Sequence, residues 1–162
     1  MKREDALAEL ANVAALWSVG YVRAAEVVRV ACDVLVAGLE GDGLCMLAGV
    51  AYRNADDDVP QVLKAALGEL GLDYHAPGSQ EAKAAAVRVL AGRVMAGLMA
   101  PRDLAFWAHR TIGHDQLPLA ERLVELDDVY DCIEYSDQTA AEVDADVVAE
   151  ARRIIESSRL LP

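Results

Sequence analysis

The chain predicts an all-α protein: a single domain over residues 1–162, with about seven to eight helices in orthogonal or bundle-like packing around one very apolar helix at residues 22–39. Three observations carry this expectation. Ala, Leu, Val and charged residues dominate, and their apolar members recur at helical spacing. Prolines number five in 162 residues, so few helices are interrupted. No stretch alternates apolar and polar residues in the manner of a half-buried strand.

The elements follow in order. Leu7, Leu10, Ala14 and Trp17 share one face of a helix over residues 3–17. Gly20 breaks it, and residues 22–39 form a helix that is apolar almost all round. Its charges, Glu26, Arg29 and Asp33, fall at spacings of three and four and make one narrow stripe, the pattern of a central helix. The β-branched run "VVRVACDVLV" also fits a strand by composition, and that alternative stays open. "GLEGDG" is a turn, and Asp42 is a candidate N-cap for a short helix over residues 44–52. "NADDDVP" precedes a helix over residues 59–70. Its three aspartates have the composition of a metal loop, but acids just before a helix also satisfy its free amides and dipole, and Pro60 suits a first turn.

After the loop "GLDYHAPGS", Ser79 caps a long helix to Leu98 with the stripe Val87, Leu90, Val94 and Leu98. Pro101 opens the next helix, which stops at Gly113. Leu119, Leu123, Leu126, Tyr130 and Ile133 then define the buried face of a helix through "PLAERLVELDDVYDCIEY". Thr139 and Glu142 form the T-x-x-E capping box of a last helix, reaching about Leu160.

Net charge is −12, from 15 basic against 27 acidic residues. That balance opposes general nucleic-acid binding, which depends on Lys and Arg neutralising phosphates, and favours basic partners. The excess is concentrated in an acidic C-terminal subregion, residues 118–160. Between Leu123 and Ala151 there are ten acids and no Lys or Arg. Cys32, Cys45 and Cys132 are widely spaced, without a zinc-type or disulfide-type pattern, and read as free thiols in a reducing, cytoplasmic setting. No uncharged run approaches the length of a membrane span, and "MKREDALAEL" lacks the apolar segment of a signal peptide.

Two candidate sites result. The first is acidic: Glu121, Glu125, Asp127, Asp128, Asp131, Glu134 and Asp137 on one helix and its exit, continued by Glu142, Asp146 and Glu150 on the next. Many are like-charge neighbours three or four apart, which weakens a helix by roughly 0.2–0.5 kcal/mol per pair. Helix geometry spreads them over a wide sector, which suits a basic surface better than a single ion. Solvation alone, or pairing with the basic helix that carries Lys83, Arg88 and Arg93, would also account for them. Tyr130 and Tyr135 are candidate edge aromatics of such a surface.

The second site is "WAHRTIGHDQ". His109, His114 and Asp115, with His75 upstream and Asp144 or Asp146 downstream, match the ligand types of a metal-dependent phosphohydrolase of HD type. The histidines are five apart, so they do not form the i, i+4 pair of a zinc-protease helix. Polar linker residues at a helix end are the simpler explanation. No nucleophile motif or phosphate loop is present.

The segments "AVRVLAGRVMAGLMAPRDLAFWAHRTIG", "LAERLVELDDVYDCIEYSD" and "VVAEARRII", over residues 80–156, resemble small all-helical acidic bacterial proteins of unassigned function, some of them similar to the immunity partners of toxins. The resemblance implies a non-catalytic inhibitor, without cofactor or metal, that covers a basic toxin domain with carboxylates. The sequence expectation is therefore a protein-binding protein. The alternatives are the metal-dependent hydrolase and a structural homodimer paired through Phe106, Trp107 and exposed leucines.

Overall fold

The computed structural model describes residues 2–158. Among these there are eight α helices, two 3-10 turns and no strand, so the all-α expectation holds and the strand alternative for "VVRVACDVLV" does not. The helices are α1 (Arg3–Ser18), α2 (Ala24–Val36), α3 (Asp42–Ala48), α4 (Ala55–Glu69), α5 (Gln80–Met95), α6 (Pro101–Thr111), α7 (Glu121–Asp131) and α8 (Ala140–Ser158). The expected end of the last helix at Leu160 lies outside the described residues. The chain divides into two compact units, Met1–Ala82 and Lys83–Pro162.

In the first unit α2 is central, packing on α1, α3 and α4. Val27, Val28, Val30, Ala31 and Val34 are all essentially fully buried, as an apolar helix with a single polar stripe requires. That stripe stays in solvent and pairs with itself: Arg29 donates to Glu26 and to Asp33, each at 2.7 Å. Leu10 and Leu16 from α1, Leu44 and Leu47 from α3, and Leu63 and Leu67 from α4 are likewise fully buried.

The start of α3 differs from expectation. Asp42 is its first residue rather than its cap, and the cap position is Gly41. The amide of Gly43, in the first turn of α3, donates instead to Glu69 Oε2 at the end of α4, at 2.7 Å. A Cβ on Gly43 would lie 2.9 Å from the backbone nitrogen of Ala66, so α3 and α4 approach backbone to backbone only because position 43 has no side chain. Helix α4 begins at Ala55, four residues earlier than its acids and Pro60 imply, led in by the 3-10 turn Tyr52–Asn54. Asp56, Asp57 and Asp58 thus occupy its first turn, where carboxylates favour the helix dipole.

In the second unit α6 packs on α7 and α8, and α7 on α8. Leu104, Ala105 and Ala108 of α6, Leu123, Leu126 and Tyr130 of α7, and Val143, Val147 and Ile154 of α8 are buried in it. The Ser79 cap forms, its Oγ accepting from the Ala82 amide at 3.1 Å. Helix α5 ends at Met95 rather than Leu98. Gly97 adopts φ +71°, and the Leu98 and Gly97 amides bond back to Arg93 and Val94. This is a Schellman ending. It leaves Leu98 78% exposed.

Candidate functional site

The end of α6 and the length of α7 bring together the chemistry-bearing residues of the second unit. His109 lies in the last turn of α6. Gly113, at φ +84°, reverses the chain, and Asp115 follows at φ +59°. The reversal folds His114 back toward α7. There Glu121 holds the turn with both carboxylate oxygens: Oε2 accepts the Asp115 amide at 2.7 Å, and Oε1 lies 3.1 Å from His114 Nδ1.

Packing of α6 on α7 places two further carboxylates under the histidines. Asp127 Oδ2 is 2.9 Å from His109 Nδ1, and Asp128 Oδ1 is 3.7 Å from the same nitrogen. Asp128 Oδ2 is 2.9 Å from His114 Nε2. The two imidazoles meet edge to face, centroids 5.2 Å apart. The hydrogen bond to Glu121, helped by Asp128, raises the His114 pKa above its usual value. The same contact from His114, with the Asp115 amide, holds the Glu121 carboxyl below the usual carboxylate range.

Ligand atoms of His109, His114 and Asp128 lie within 4.8 Å of one another. Asp115 is not a member of that group; its role in the geometry is through its backbone. His75 belongs to the first unit, between α4 and α5. Asp144 accepts a hydrogen bond from the Tyr130 hydroxyl, and Asp146 is 3.4 Å from the Gln138 amide nitrogen.

The acidic residues divide by environment. Asp127 and Glu150 are buried, at 5% and 8% exposure; the first is tied to His109 and the second to Arg153, whose Nε donates to it at 2.8 Å. Glu125 is exposed and paired with Arg122 at 3.0 Å. Glu142 is engaged in the predicted capping box: it accepts the Thr139 amide at 2.7 Å, while Thr139 Oγ1 is 3.3 Å from the Glu142 amide. These bonds hold its carboxyl below the usual range.

Asp131, Glu134 and Asp137 are exposed and make no ion pair among the described residues. Neither Lys83 nor Arg88 pairs with any of the acids there, and Arg88 Nε is buried without a hydrogen-bond partner. No family model, curated protein or solved structure matches the chain.

The two tyrosines of the acidic segment have opposite environments. Tyr130 is buried, its hydroxyl bonded to Asp144 and its ring under the Arg102 guanidinium at 5.3 Å. Burial first, then the Asp144 carboxylate, pushes its phenol well above the usual pKa. Tyr135, in the 3-10 turn Ile133–Tyr135 that follows α7, is 86% exposed. Phe106 is half-exposed with the Arg110 guanidinium 5.6 Å from its ring centre, and Trp107 is half-buried.

The meeting of His114 with Asp128 was not legible from spacing, because they stand fourteen positions apart and helix packing makes the contact. The nearest sequence signal is the like-charge pair Asp127 and Asp128, facing the end of α6 that bears His109 and the turn after it that bears His114.

Proposed function

We propose that this protein acts by binding a basic protein surface, without catalysis, through the acidic segment that leaves α7 and enters α8. The finer reading, an inhibitor that covers the cationic face of a toxin-like domain, is part of the same proposal. The observation that carries it is Tyr135. A tyrosine 86% exposed, with Asp131, Glu134 and Asp137 around it in sequence and free of ion pairs among the described residues, combines the aromatic anchor and the charge of a recognition surface.

Unpaired carboxylates on a protein of net charge −12 attract a cationic partner over distances of about a Debye length, roughly 8 Å at physiological salt. They raise the rate of encounter more than the strength of the final complex. Tyr135 supplies apolar contact that charge alone lacks. The buried acids Asp127 and Glu150 contribute to the fold of this region, and the contacting set is Asp131, Glu134, Asp137 and Tyr135.

The test begins with the partner recovered by the tagged full chain and then purified. Its affinity is measured by calorimetry for the native chain and for the combined variant Asp131→Asn, Glu134→Gln, Asp137→Asn. The reading expects at least tenfold weaker binding, about 1.4 kcal/mol, and a smaller dependence on salt. Equal affinity and equal salt dependence would refute it.

A further inference from the structure

We propose that His109, His114 and Asp128 form a binding site for one divalent transition-metal ion, of which Zn2+ fits the donor set best. This goes beyond the protein-binding reading and does not rest on it, since Asp131, Glu134 and Asp137 are not among the ligands. Two imidazole nitrogens and a carboxylate are a common three-ligand zinc set, which leaves further positions for water or another donor.

The geometry is close to what such an ion requires. Bonds of about 2.0–2.1 Å put tetrahedral ligand atoms roughly 3.3 Å apart. The separations here, 2.9 Å from His114 Nε2 and 3.7 Å from His109 Nδ1 to the two Asp128 oxygens, lie on either side of that value. All three ligand atoms fall within 4.8 Å.

The surroundings supply the outer carboxylate that zinc-bound histidines ordinarily have. Glu121 Oε1 faces Nδ1 of His114, the ring nitrogen opposite the one that meets Asp128. It therefore orients the ring and leaves Nε2 for the metal. Asp127 Oδ2 lies 2.9 Å from Nδ1 of His109, the same nitrogen that faces Asp128, so a metal bound there replaces this hydrogen bond and leaves the buried Asp127 carboxylate beside the ion.

Charge balance points the same way. Three carboxylates, Glu121, Asp127 and Asp128, converge on two imidazoles, and no Lys or Arg pairs with them among the described residues. With neutral rings the cluster carries −3, which one divalent cation reduces to −1.

The test uses the chelator-stripped full chain, titrated with Zn2+ by calorimetry and with Co2+ by visible absorption. Saturation at one equivalent, with the enhanced d–d bands of low-coordinate Co2+, is expected. His114→Gln and Asp128→Asn should each weaken Zn2+ binding at least tenfold, with circular dichroism unchanged, whereas Asp115→Asn should bind as the native chain does.

A second measurement needs no variant. In the native chain, Zn2+ should shift the ring-proton resonances of His109 and His114 and leave those of His75 in place. Titration without a one-equivalent end point, native-like binding by both ligand variants, or an equal shift of His75 would overturn the site and leave the histidines as hydrogen-bonding partners of the acidic helix.

Discussion

A methyl group on Gly43 would meet the Ala66 backbone at 2.9 Å and the Glu69 carboxylate at 3.0 Å. Backbone does not yield as a flexible side chain does. Gly43→Ala should therefore destabilise the first unit by about 1–3 kcal/mol, read as a lower denaturation midpoint with unchanged slope. Gly68→Ala is the matched control, because nothing lies within 4 Å of its added Cβ. Glu142 gives a prediction in pH. Its carboxyl is held below the usual range by the Thr139 amide and hydroxyl, so its contribution to stability is present above the unfolded-state carboxylate pKa and lost as pH falls through the lower folded value. Glu142→Gln should flatten the acid limb of the stability profile and leave the region above neutrality parallel to the native curve. Both features differ in legibility. The T-x-x-E box is local and stands in the sequence, whereas the tie from Glu69 to Gly43 spans 26 positions and depends on how α3 lies on α4.

Helices were legible where their apolar residues repeat, and their ends less so. The stripe Val87, Leu90, Val94 and Leu98 has helical spacing throughout, yet Gly97 turns left-handed and leaves the last member in solvent. Periodicity describes which residues can share a face and says nothing about where a glycine ends it. The same limit applies to α7, where Leu123, Leu126 and Tyr130 are buried but Leu119 and Ile133, outside the α helix, are half-buried. Substitutions measure the difference. Leu123→Ala, at a fully buried position, should cost about 2–5 kcal/mol, and Leu98→Ala should stay within about 0.5 kcal/mol. Thermal or denaturant unfolding of the two variants distinguishes them, and equal losses would contradict the assigned end of α5.

At the scale of the molecule, composition and charge were legible throughout, and their arrangement only in part. The −12 charge is visible in the sequence, but the division of the acids into buried ties, capping groups and unpaired surface carboxylates comes from packing. Asp127 and Asp128 are neighbours in sequence, one buried against His109 and the other half-exposed. No helix among the described residues is long and apolar enough to cross a membrane. The metal proposal makes its own prediction at this scale: Zn2+ at a hundred times its dissociation constant should stabilise the native chain by about 2.7 kcal/mol, and Asp128→Asn should abolish most of that gain.

The central claim is that the segment around Tyr135 is the contact surface for a basic partner. Its most direct measurement is the change in backbone amide resonances of the full chain when the purified partner is added. The account predicts the largest changes between Asp131 and Glu142, with the Tyr135 ring resonances shifted and the α2 core of the first unit unchanged. Changes confined to the first unit, or a saturated complex in which residues 131–142 keep their free-state shifts, would contradict it.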